Sequence, residues 1–399
     1  MKNLKHVITI IFLFLIYIYV ANITLIPSNI ILLQGEEFKF KKSFGVETIE
    51  TAITSNSNYN ISNVEVKLFG KLPVKNVSVT TIENAKVVPI GKIIGLKLYT
   101  NGVLIVGMSE IEDENNILSK PYENSDIKEG DTILKINEKE IEDIENLKDI
   151  VNNSNGKKLE LTLLREGSIV TSNITPIQTK NNEYKLGLWV KDAATGVGTM
   201  TFYEPESKVY AVLGHGITDS DTDSLINIDS GELVTSRIIS IKKGEVDEPG
   251  EIKGTILNQQ TIGEVIKNTQ FGIYGRLNNL TSLNIDTSKE IDVALRDEIE
   301  LGEAKVLCAV DNSNVAKEYS IEIEKIYIDN DFNNKSMLIK VTDEELLEKT
   351  GGIIRGLSGA PILQNGKFIG AITNVLVSNP EIGYAIFGDL MVKEMSKID

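Results

Sequence analysis

Between Tyr184 and Asp399 the chain consists mostly of short alternating runs separated by Gly, Asn and Asp, such as Gly198–Tyr203, Val209–Leu213 and Lys367–Ile372. Alternation of period two marks strands with one buried face, and regular short strands with turn signals close only as sandwiches or barrels. The stretch is long enough for two barrels. The whole chain has 399 residues, room for two or three units. Its 41% hydrophobic and 25% charged residues exclude a polytopic membrane protein and wholesale disorder. A net charge of −16 repels phosphates, so no nucleic-acid partner is expected.

At the other end, Lys2 and Lys5 precede an uncharged apolar run from Val7 to Ile26. Such a run is long enough to cross the hydrocarbon core as a helix, and the two lysines stay on the cytoplasmic side. Residues 1–26 are expected to be a transmembrane signal anchor, with everything after Pro27 outside the cytoplasm. Val20-Ala21-Asn22-Ile23 offers no Ala-x-Ala cleavage pattern, which favours a retained anchor over a cleaved peptide. From 27 to 90, polar stretches such as Thr54–Asn58 mix with alternating runs at Val64–Leu68 and Val77–Val79, as in a β-rich stem or linker.

A second unit, 91–177, carries a buried strand at Gly102–Gly107, then a Gly130-Asp131 turn feeding Thr132–Ile136. Ile144, Leu147, Ile150 and Val151 follow at helical spacing, and then the strand Leu159–Leu163. This order resembles a PDZ domain, although Glu138 stands where that family usually has glycine. The resemblance implies an extended peptide adding as a strand along Gly102, Val103, Leu104 and Ile105. A module that only positions the next domain is the alternative.

The chemistry falls in 184–399. Arg355-Gly356-Leu357-Ser358-Gly359-Ala360-Pro361 sets a serine between glycines ahead of a strand, so the backbone can expose the hydroxyl. The run is similar to the nucleophile loop of chymotrypsin-like serine peptidases. In that template the amides of Gly356 and Ser358 form the oxyanion hole. A serine hydroxyl needs a base titrating near neutral pH. Of the two histidines, His6 lies beside the anchor, which leaves His215 between Gly214 and Gly216. The single cysteine, Cys308, can form neither an intramolecular disulfide nor a thiolate cluster. Too few His and Cys remain for a transition-metal site, and Asp219, Asp221 and Asp223 suit at most a hard cation such as calcium. No phosphate-cradling loop is evident, and neither a metal nor a cofactor is expected.

Gly196–Tyr203, Leu213–Asp219 and Thr350–Pro361, in that order behind an apolar N-terminus and a PDZ-like module, resemble the stage IV sporulation protein B family of serine peptidases. The resemblance covers nearly the whole chain. It implies a chymotrypsin-like double β-barrel and an endopeptidase of endospore formers, exported into the space between the two forespore membranes. There it would cut its own N-terminal region and a membrane-bound regulator of an intramembrane protease, so that a mother-cell sigma factor is processed. It also puts the third catalytic residue at Asp343. Other readings compete: Thr342 and Glu345 form a capping box that opens a helix, Asp292 is a second candidate acid, and Asp219, Asp221 and Asp223, close to His215 in sequence, are not excluded but read as a polar loop. A non-catalytic scaffold that binds a membrane partner through its PDZ-like module is the functional alternative.

Overall fold

The computed structural model describes residues 2–34, 46–55, 59–165, 167–218, 225–328 and 334–398. The chain opens with helix α1 (Lys2–Leu25). Among the described residues no helix is long and apolar enough to cross a membrane. Several side chains of α1 lie outside that set, so the expected anchor rests on the sequence. Strands β1 (Asn29–Leu33), β2 (Val46–Ser55), β3 (Tyr59–Leu68) and β4 (Leu72–Ile82) then form a sheet in the order β1-β4-β3-β2. The expected alternating runs fall in β3 and β4, where Val64, Val66, Val77 and Val79 build a small core with Ile26. Asn56, Ser57 and Asn58 lie outside the described residues.

The next strand, β5 (Lys86–Met108), is 23 residues long and serves two units. Its second half joins β6 (Thr132–Ile136), helix α2 (Ile144–Asn153), β7 (Leu159–Arg165), β8 (Ser168–Ile174) and the start of β9 (Leu188–Tyr203). These strands run β8-β7-β6-β5-β9. Helix α2 starts where the Asp143 side chain accepts the Asn146 amide, and it buries Leu147 and Val151 against Val103, Ile105, Ile133 and Leu161. Asp131, fully buried, is held by Arg165 at 2.7 Å.

The edge expected to receive a peptide is occupied. Leu188, Trp189, Val190 and Lys191 of β9 pair antiparallel with Met108, Gly107, Ile105 and Leu104, while Val103 and Leu104 pair with Ile133 and Thr132 on the other side. With both edges of β5 hydrogen-bonded, Gly102, Val103, Leu104 and Ile105 offer no free ladder, because a strand has only two edges. Gly102 has a packing role instead: at φ +83 a Cβ there would stand 2.3 Å from the Ile133 carbonyl oxygen.

The first barrel is completed by β10 (Val209–Val212), β11 (Ile228–Lys242), β12 (Glu251–Thr269) and β13 (Gly272–Leu277). The ring runs β5-β9-β10-β13-β12-β11 and closes through β11 on β5, with Leu233 opposite Leu96 and Gly231 opposite Leu98. The second barrel comprises β14 (Gly302–Cys308), β15 (Lys317–Ile326), β16 (Met337–Val341), β17 (Pro361–Gln364), β18 (Lys367–Val375) and β19 (Ile382–Phe387). Helix α3 (Glu344–Thr350) precedes β17, and α4 (Gly388–Met395) follows β19. This ring runs β14-β15-β16-β19-β18-β17. Numbered within each barrel, both orders are 1-2-3-6-5-4.

Sequence boundaries at 91–177 and 184–399 therefore cut across the architecture. The first strand of barrel one precedes the PDZ-like unit, which is inserted between the first and second barrel strands. The barrels join through Phe202 and Phe368, edge to face at 5.4 Å. Asn314 extends the junction by exchanging two 2.8 Å hydrogen bonds with the Ile93 backbone. The segment between the barrels is pinned by a buried ion pair, Arg296 to Asp389 at 2.9 Å.

Candidate active site

His215 follows the third strand of barrel one. Leu213 sits at φ +74, and the Gly214 amide bonds back to the Val212 carbonyl at 3.0 Å, the signature of a γ-turn. A branched residue in that region is strained, and such strain concentrates at functional sites. The turn presses Gly214 onto barrel two, where a Cβ would lie 3.2 Å from Ile386 and 3.3 Å from Thr373. The half-buried His215 ring has Nδ1 2.9 Å from the Gly216 carbonyl oxygen. A carbonyl only accepts, so Nδ1 carries the hydrogen and Nε2 keeps its lone pair. Burial holds the imidazole pKa below its ordinary 6.5, with the Gly216 bond opposing in part. Asn268 clamps the following backbone: its Oδ1 accepts from the Ile217 amide at 2.9 Å, and its Nδ2 donates to the carbonyls of Ile217 at 2.8 Å and Ile226 at 2.9 Å.

Ser358 precedes the fourth strand of barrel two. Peptide units around it are pinned one by one. The Arg355 carbonyl accepts from Ile252 at 2.8 Å, Leu357 donates to Ile354 at 3.1 Å, and Gly359 donates to Ile372 at 2.7 Å. The Thr199 hydroxyl donates to the Gly356 carbonyl at 2.6 Å, and the Thr199 amide to the Ser358 carbonyl at 3.2 Å. Among the described hydrogen bonds the amides of Gly356 and Ser358 have no acceptor. The Ser358 hydroxyl donates to the Thr373 carbonyl at 2.7 Å.

The two loops meet. A Cβ on Gly359 would stand 2.3 Å from the Thr199 carbonyl oxygen and 2.5 Å from the Leu213 nitrogen, so only glycine fits there. Thr373 lies under both, touching Gly214 and holding Ser358. No described hydrogen bond joins the His215 ring to the Ser358 hydroxyl; the hydroxyl is turned toward Thr373. Catalytic hydrogen bonds of this kind often align only when substrate binds.

Asp343 does not join them. It is the N-cap of α3, its Oδ1 accepting from Leu346 at 3.1 Å and its Oδ2 from Ser320 at 3.2 Å. It lies past the C-terminal end of β16, whereas Asn334, whose carbonyl accepts from Thr373, precedes the other end. Five residues of strand separate the two ends, about 17 Å at the usual rise. The capping reading is right in kind, but Asp343 itself, not Thr342, is the cap. Asp292, paired opposite Lys86, faces a cleft with Glu204 and Lys367, at the far end of β10 from His215. The hairpin beside His215, where Gly216 donates to Gln270 at 3.3 Å, carries Thr269, Gln270 and Phe271. Among the described residues no carboxylate shifts the His215 pKa. Asp219, Asp221 and Asp223 lie outside the described residues. Among the described residues no cluster of His, Cys, Asp or Glu could hold a metal. Cys308 is buried, its thiol pushed up to about 12 by desolvation first and by the Asp343 charge second, so it is no nucleophile at neutral pH.

Thr199, Asn268 and Thr373 escape sequence reasoning because a threonine or asparagine in an alternating strand carries no signal of its partner. Thr199 alone stood inside a recognised motif. A cleft is lined by Thr195, Gly196, Val197 and Ile252 of barrel one and by Arg355 and Gly356 of the nucleophile loop. A serine, an imidazole with a free Nε2, two unengaged amides and an adjoining cleft are the parts that acyl transfer needs.

Comparison with known families agrees. Residues 102–175 match the PDZ domain family. Residues 182–392 match the family described as SpoIVB peptidase S55. No curated protein matches the chain. The second family match spans more than half of the sequence: the chain belongs to the SpoIVB peptidase S55 family and is a serine peptidase.

Proposed function

We propose that this peptidase is an endopeptidase with Ser358 as nucleophile and His215 as general base. The Ser358 hydroxyl rotates from the Thr373 carbonyl to Nε2 of His215 and gives up its proton as Oγ attacks the substrate carbonyl carbon. The resulting oxyanion accepts from the Gly356 and Ser358 amides. His215 then protonates the leaving amine, and water repeats the sequence to release the acyl group. The Gly216 carbonyl takes the orienting role that the family resemblance gave to Asp343. One observation carries this reading: the amides of Gly356 and Ser358 have no acceptor among the described hydrogen bonds, and the loop that holds them packs through Gly359 against the histidine turn.

The apolar N-terminus supports a membrane anchor with the peptidase outside the cytoplasm. Family membership supports a role in sporulation signalling, with the chain's own N-terminal region and a membrane-bound regulator of an intramembrane protease as substrates. When the full chain is produced in membranes, wild type releases a shortened soluble form, whereas His215→Ala and Ser358→Ala stay full length. Equal shortening of all three would overturn the reading.

A further inference from the structure

We propose that Thr199 is a positioning residue for the oxyanion-binding amides, an inference that rests on Ser358 being the nucleophile. Thr199 is fully buried where the barrels meet and ties three points together. Its hydroxyl donates to the Gly356 carbonyl at 2.6 Å, its amide to the Ser358 carbonyl at 3.2 Å, and its carbonyl accepts from Leu213 at 3.2 Å. Two of these hold the nucleophile loop, and the third holds the turn that presents His215. Gly356 lies at φ +100 without a Cβ, so its peptide planes can rotate at little steric cost. The peptide plane following Gly356 is held by the Thr199 hydroxyl at its carbonyl and by the Ile354 carbonyl at its Leu357 amide, and it links the two planes that carry the Gly356 and Ser358 amides, so its tilt sets their direction. An internal control lies two residues on: the Thr201 hydroxyl is also buried, yet has no hydrogen-bond partner among the described residues.

The test is the concentration dependence of Ser358 labelling by a fluorophosphonate probe on the full-length protein. Phosphonylation develops the same oxyanion, so its limiting rate reads the amides and its half-saturating concentration reads binding. Thr199→Val is expected to lower the limiting rate about 10-fold or more, with half-saturation changed by less than about 3-fold. Thr199→Ser keeps the hydroxyl and stays within about 3-fold of wild type, and Thr201→Val labels like wild type. If Thr199→Val melts early, the pair Thr199→Ser and Thr199→Ala, which differ by one oxygen, must show the same split. A wild-type rate in Thr199→Val, or Ser and Ala equally slow, would overturn the inference alone. No labelling of wild type at Ser358 would overturn the nucleophile assignment and this inference with it.

Discussion

The two barrels share one strand order but are built and used differently. Barrel one is interrupted: β5 and β9 run out of it to become adjacent strands of the PDZ-like unit, so one pair of strands is common to both. Barrel two is an unbroken ring whose helix α4 carries the buried Asp389 against Arg296. His215, the proposed base, follows the third strand of barrel one, and Ser358, the proposed nucleophile, precedes the fourth strand of barrel two. Equal topology thus supplies equivalent loop positions, and the chemistry arises only where the rings meet, at Thr199, Leu213, Gly359 and Thr373. A repeated scaffold does not by itself make a site. Two of its loops become one when their backbones pack closely enough to demand glycine.

The sharpest way to break this contrast is to attack the scaffold of barrel two away from the site. Asp389→Ala removes the fully buried carboxylate that accepts from Arg296 Nε at 2.9 Å and Nη2 at 3.2 Å, and should cost about 3–5 kcal/mol in denaturant unfolding. Asp131→Ala, in the inserted unit, leaves an Arg165 that still reaches solvent and Asp126, and should cost less. Equal losses would erase the distinction. A smaller effect separates scaffold from chemistry within barrel two. Asp343→Ala removes a helix cap and should cost about 1 kcal/mol of stability while the labelling rate stays within a few-fold of wild type. A folded Asp343→Ala protein slowed about 1,000-fold or more would restore Asp343 to the reaction.

Local features were legible in the sequence, and pairings were not. Alternation located strands such as β9, β10 and β18, and helical spacing located α2, because each is written in consecutive residues; the barrel half of β5 was missed. The loops of His215 and Ser358 were legible because glycines on both sides leave few other uses for such residues. Glu138, noted as atypical, does take the left-handed conformation usual for glycine, at φ +67. What escaped depends on partners distant in sequence. Nothing local says that Leu96 pairs with Leu233, or that Leu188–Lys191 covers the edge of β5. Asp343 misled for the same reason: a carboxylate before a helix reads equally well as a cap or as a catalytic acid until its neighbours are known.

The central claim is that two loops from two barrels share one proton. Its most direct measurement is the pH dependence of fluorophosphonate labelling at Ser358, located by peptide mapping, in wild type and His215→Ala. A base must be neutral to accept the proton, and burial holds the His215 pKa down. The rate should therefore rise with pH through an inflection below 6.5 and stay level above it, and His215→Ala should lose both the inflection and about 10,000-fold or more in rate. Labelling of His215→Ala at the wild-type rate, or a label mapped to another residue, would contradict the account.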